Sequence, residues 1–174
     1  PMKLPSHFNS VKGFIDHNEG ICLYNYALNS SKKGPILEIG SYCGKSTIYI
    51  ATAAKKYSGC VYSVDHHTGS EENQVGWEYH DIELFDEETG RINSFPEFMR
   101  NLRKANLLDT VVPIVSDSSL VSRYWKIPLS MVFIDGGHTM EAAFNDLDNW
   151  KDKIIKGGIL AIHDVFPNPD DGGR

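Results

Sequence analysis

The 174-residue chain holds 41% hydrophobic and 23% charged residues, an ordinary balance for a soluble globular domain with a buried core. Its net charge of −6 argues against a non-specific nucleic-acid binder, which needs a basic surface, and the lack of eighteen consecutive apolar residues argues against a membrane span. Cys22, Cys43 and Cys60 show no CxxC spacing, and "PMKLPSHFNS" lacks the apolar core of a signal peptide, so reduced thiols and a cytoplasmic setting are expected.

Apolar periodicity predicts one domain over residues 1–174, with a core at 34–165. A helix is expected at 17–30, with Ile21, Tyr24, Ala27 and Leu28 on one face. "GPILEIG" follows as a first strand after the turn pair Gly34-Pro35, then a helix from Gly44 to Tyr57 with Ile48, Ala51 and Thr52 inward. "CVYSVD" is a second strand. Residues 66–93 are polar, dotted with aromatics and without period, which reads as a long insertion; its stretch 73–85, with Trp77 and Phe85, suits either a lid or surface packing. "SFPEFMRNLRKANLL" reads as a helix with a Ser94/Glu97 capping box and with Phe95, Phe98, Leu102 and Ala105 on one face. "VVPIVS" is a third strand whose Pro113 favours a sheet edge. A short helix at 119–126 leads to the fourth strand, "LSMVFID". Thr139 then caps a helix that turns Ala143, Leu147 and Trp150 inward, and "GGILAIHD" is the fifth strand. Strands alternating with helices predict an α/β fold, a doubly wound and mainly parallel sheet covered on both faces.

In such sheets ligands bind beyond the carboxyl ends of the strands, where strand order reverses. Polar residues gather at those ends: Glu38 and Gly40, Asp65, Asp117, Asp135, and His163 with Asp164. The turn "EIGSYCGKST" resembles a phosphate loop, but only Ser41, Tyr42 and Cys43 separate Gly40 from Gly44-Lys45, where a P-loop needs four residues. Gly40 and Gly44 do not satisfy the dinucleotide pattern GxGxxG either. S-adenosylmethionine suits the residues better. Glu38 is placed to hold its ammonium, directly or through water, while Gly44, Ser46 and Thr47 offer donors to its carboxylate at a helix N-terminus. Gly40 allows close backbone approach, Asp65 is placed for the ribose hydroxyls, and Asp117 and Ser118 for the adenine edge. Tyr42 either touches the ligand or packs. His66 lines the cofactor pocket, and His67 is expected as an exposed loop histidine.

"EIGSYCGKS" resembles the first motif of the catechol and caffeoyl-CoA O-methyltransferase group, and "FIDGGHTMEAAFNDLDNW" followed by "GGILAIHD" resembles small bacterial class I S-adenosylmethionine-dependent methyltransferases. The resemblance runs from about Gly34 to Asp164 and implies a Rossmann-like sheet. It places Glu38, Gly40, Ser41, Gly44 and Ser46 around the methionine moiety, Asp65 on the ribose, Asp117 near adenine and Asp135 at the methyl-transfer site. Where the catechol-like group binds magnesium through an Asp and an Asp-Asn pair, this chain has Asp135, His163 and Asp164. That set still suits a divalent ion, with the histidine shifting preference from magnesium towards manganese, iron or zinc. Without a metal, His138 or His163 is the expected base. The implied reaction methylates an oxygen of a small molecule, with neither nucleic acid nor membrane as partner. The alternatives are a non-catalytic scaffold that binds the same cofactor and a P-loop-like ATPase or kinase. The group normally adds a helix and an antiparallel strand pair after the fifth strand. Residues after Asp164 do not supply these sixth and seventh strands, so the expectation is a truncated chain or an edge completed by association, such as a homo-oligomer.

Overall fold

The fold is taken from a computed structural model that describes residues 2–70, 76, 81–136 and 139–163. Five strands form one parallel sheet: β1 (Ile36–Ile39), β2 (Val61–Asp65), β5 (Val111–Val115), β6 (Leu129–Ile134) and β7 (Ile154–Ile162). Their order across the sheet is β5-β2-β1-β6-β7. The chain therefore builds outward from β1 in one direction, then crosses back to lay β6 on its other side. That reversal opens a crevice between the tips of β1 and β6.

The remaining two strands, β3 (Phe85–Asp86) and β4 (Arg91–Ile92), pair antiparallel as a separate sheet. The described residues thus hold seven strands rather than five. The additional antiparallel pair lies inside the 66–93 segment, where the sequence predicts an insertion without period, and not beside β7. Leu84 and Ile92 explain its order, because both pack with Cys43 in a small cluster under the glycine turn.

Helices α1 (His17–Ser30), α2 (Lys45–Lys55) and α3 (Phe95–Lys104) cover one face of the sheet, and α4 (Ser118–Tyr124) and α5 (Met140–Trp150) the other. The alternation of β1 fits this arrangement: Ile36 faces the α1–α2 core, while Leu37 and Ile39 join the cluster around Trp150. Helix α2 is buried nearly all round, between α1 and the sheet, with Ser46 and Thr47 as its buried polar residues. Gly20 lets the two helices meet, since a Cβ there would lie 2.2 Å from the Tyr49 ring. Pro113 sits in β5, which pairs with β2 alone and forms an edge, as its missing N–H demands. Gly157-Gly158 proves to be a bulge within β7, between the Leu129–Ile154 and Met131–Ile159 pairings, and not the start of the strand.

One of the two expected helix caps forms and the other does not. Thr139 caps α5, accepting from Ala142 N at 3.1 Å. Ser94 makes no side-chain cap on α3, because its hydroxyl is taken by His67 Nδ1 at 2.8 Å. A capping box forms instead at α1, where Asp16 accepts from Asn18 N and Glu19 N and Glu19 accepts from Asp16 N.

Candidate functional site

The β1–α2 turn is held by tertiary bonds. Gly40 has φ +82°, and a Cβ there would lie 2.4 Å from the Asp135 carbonyl oxygen. The glycine thus serves the close passage of the β1 and β6 tips. Asp65 Oδ2 accepts from Ser41 N at 2.9 Å and Tyr42 N at 2.8 Å, while its Oδ1 accepts from His67 N at 2.8 Å. On the far side of the turn Asn101, from α3, donates to the Cys43 carbonyl at 2.9 Å. Gly44 opens α2 as a left-handed N-cap with no side chain to bond the first N–H groups of the helix.

Glu38 lies beneath this turn, wholly buried. Its carboxylate accepts from Ser46 Oγ and Thr47 Oγ1, each at 2.5 Å, and from Ser63 Oγ at 3.1 Å. Burial pushes its pKa up from 4.5 to about 7; the three hydroxyls oppose the rise and Asp135 adds to it.

A cavity opens above, at the strand-order reversal. The turn lines it with Gly40, Ser41, Tyr42, Lys45 and Ser46, the β2 end with Asp65, His66, Gly69 and Ser70, and the sheet's other half with Asp135, Gly136 and His163. Ser94 and residues 12–15 complete the lining. His163 Nδ1 lies 3.1 Å from Asp135 Oδ1, and its Nε2 lies 3.2 Å from Glu19 Oε2. The Ser41 hydroxyl is buried without a hydrogen-bond partner.

Those expected residues that the structure describes divide into three groups. Gly40, Ser41, Tyr42, Ser46, Asp65, His66, Asp135 and His163 all meet at the cavity, and Gly44 borders it as the N-cap. Glu38 and Thr47 are sealed below, bonded to each other, so Glu38 supports the turn from beneath the cavity wall. Asp117 and Ser118 do not line the cavity: Asp117 caps α4 through Ser119 N and Leu120 N, and Ser118 donates to Asp146 at 2.6 Å. His138, Asp164 and Trp77 lie outside the described residues.

His67 differs from expectation. It is 2% exposed, held between the rings of Phe95 and Phe98 at 5.2 and 5.1 Å and bonded to Ser94. Burial lowers its pKa; the Asp65 charge raises it in part, and His66 lowers it. The sequence reading also missed Lys12, Gly13, Phe14 and Ile15, which belong to a short segment before α1 with no period to mark it.

S-adenosylmethionine fits these residues on two observations. The orphaned Ser41 hydroxyl and the uncapped start of α2 supply donors for a carboxylate. Asp65, with three N–H bonds, keeps acceptor capacity for a hydroxyl. Of the expected metal set, Asp164 lies outside the described residues; among the described residues no group of three or more His, Cys, Asp or Glu is placed to hold an ion. Asp135 and His163 are adjacent, but each ring nitrogen of His163 faces a carboxylate. No helix among the described residues is long and apolar enough to cross a membrane.

Similar solved structures share this fold. Cofactor-bound Rv0187 from MTB is 18% identical with a TM-score of 0.62, over 92% of this chain and 59% of its own. The S-adenosylhomocysteine-bound methyltransferase PaMTH1 of Podospora anserina is 14% identical with a TM-score of 0.65, over 88% of this chain and 55% of its own. An O-methyltransferase from Bacillus cereus in complex with S-adenosylhomocysteine is 19% identical with a TM-score of 0.58, over 90% and 58%. The chain thus spans less than two-thirds of the length of each. Residues 37–165, which hold the sheet, the glycine turn and the carboxylates at its strand tips, match the family described as "Methyltransferase domain", and the chain belongs to that family.

Proposed function

We propose that the protein transfers a methyl group from S-adenosylmethionine to an oxygen of a small molecule. The observation that carries this reading is the cavity at the β1/β6 reversal, which gathers an uncapped helix start, a buried hydroxyl and the carboxylates of Asp65 and Asp135. When bound there, the cofactor supplies an electrophilic methyl group on a sulfonium sulfur. Ser41 and the first N–H groups of α2 bind its carboxylate end, and Asp65 accepts from the ribose while bracing the turn. Asp135 sits on the opposite wall beside His163, and this pair takes the proton that an acceptor hydroxyl loses as its oxygen gains the methyl. The Glu19 carboxylate on the far side of the ring restrains the imidazole.

Isothermal titration calorimetry with S-adenosylhomocysteine and, separately, ATP tests the reading. Binding of the nucleoside thioether without binding of ATP is the expected result. Heat from ATP alone would overturn it in favour of a phosphate loop.

A further inference from the structure

Residues 11–15 form neither helix nor strand, yet four of them wall the cavity. The segment lies directly on the start of α2, since a Cβ on Gly13 would come 2.7 Å from the Lys45 Cβ. Phe14, next along, stacks on Tyr42 with ring centroids 6.0 Å apart and planes 26° from parallel. Lys12 reaches across to the segment that leads into β3: its ammonium is 2.6 Å from Asp81 Oδ2 and also bonds Glu83. That anchor is itself ordered. Asp81 accepts from Glu83 N at 3.0 Å at the start of the 3-10 turn Ile82–Leu84, and from the Tyr42 hydroxyl at 3.4 Å.

From this arrangement we infer that Lys12, paired with Asp81 and Glu83, is a latch that holds the N-terminal segment closed over the cofactor cavity, and that ligand exchange requires the pair to open. The identity of the ligand rests on the function proposed above. Val11, whose N–H donates to the Phe8 carbonyl at 3.0 Å, and Ile15 are buried in the core and fix the two ends of the segment, so the latch acts on the span 12–14 between them. Burial opposes the Lys12 charge, but the bonds to Asp81 and Glu83 outweigh it and raise the ammonium's pKa. The pair nonetheless remains in reach of solvent, with side-chain exposures of 31% for Lys12, 18% for Asp81 and 74% for Glu83. Ion pairs of that kind are modest and are screened by salt, as an openable contact requires.

Stopped-flow release of S-adenosylhomocysteine from the full chain, at low and high ionic strength, tests the latch. Wild type is expected to release faster as salt rises. Lys12→Met should release roughly three- to tenfold faster at low salt and lose most of the salt response. Glu83→Gln, at an exposed position that does not threaten folding, should shift both in the same direction by less. Amide hydrogen exchange of residues 12–16 in the ligand-free protein gives a second readout, expected to quicken in both variants. Wild-type release rates and salt response in both variants would overturn the latch. If wild type takes up no S-adenosylhomocysteine, the proposed function fails, and exchange alone decides: quickened exchange supports the latch and unchanged exchange overturns it.

Discussion

Replacing Glu38 by Gln isolates one buried charge at the base of the site, and its consequence follows from the sign of a single shift. The carboxyl has no exposed surface and titrates at about 7 in the fold, against 4.5 ordinarily. Between those values the folded protein holds a proton that the unfolded chain has released. Stability therefore falls as pH rises through this window, and the contribution is lost in full above about 7. At about 1.4 kcal/mol per pH unit, the interval from 4.5 to about 7 corresponds to roughly 3 kcal/mol. A Gln amide has the same shape and no charge, and the Ser46, Thr47 and Ser63 hydroxyls can rotate to meet its donor as well as its acceptor. We predict that urea denaturation at pH 5, 6, 7 and 8 shows Glu38→Gln gaining on wild type by roughly 2–3 kcal/mol across the series. Groups common to both proteins cancel in the difference. If that difference stays constant with pH, Glu38 is not the buried titrating group described here.

Three further predictions concern the residues around it. Gly40→Ala should destabilise the fold by roughly 2–5 kcal/mol in chemical denaturation, since φ is +82° and the Cβ meets the Asp135 carbonyl at 2.4 Å; a loss under about 1 kcal/mol contradicts this packing. Asp65→Ala should weaken S-adenosylhomocysteine binding more than about tenfold in calorimetry, because the turn loses the acceptor for Ser41 N and Tyr42 N as well as a ligand contact; an unchanged Kd refutes the assignment. His67→Asn should flatten the acid side of the stability profile. Burial lowers the His67 pKa below 6.5, so the unfolded chain takes up the proton first and wild type loses stability as pH falls below that value. A variant as acid-sensitive as wild type places the titrating group elsewhere.

The architecture was legible because it depends on local pattern. The apolar runs at 36–39, 61–65 and 129–134 and the helical periods between them determine which faces are buried, and Pro113 marked its own strand as an edge. The site was legible where the backbone delivers a residue to a strand tip, as with Asp65, Asp135 and His163. What escaped depends on partners distant in sequence. Ser94 has the spacing of a capping box, but His67, 27 residues earlier, takes its hydroxyl. Lys12 meets Asp81 across 69 residues, and nothing local in "VKGFID" signals that contact.

The same long-range bonds explain why the turn suits an anionic group despite the acidic residues around it. A helix start leaves N–H groups without partners, and a serine or threonine in its first turns often answers them from its own side chain. Here the Ser46 and Thr47 hydroxyls point down to Glu38, and the N-cap position is a glycine without a side chain to offer. Asp65, the nearest cavity-lining carboxylate on the β2 side, has both oxygens turned towards backbone N–H groups of Ser41, Tyr42 and His67. The acids at the two strand tips thus take up the donors that build the turn and leave those at the start of α2, which borders the cavity, without a side-chain cap. Glu38 titrating at about 7 lowers the negative charge beneath that start near neutral pH, which eases the approach of a carboxylate from above.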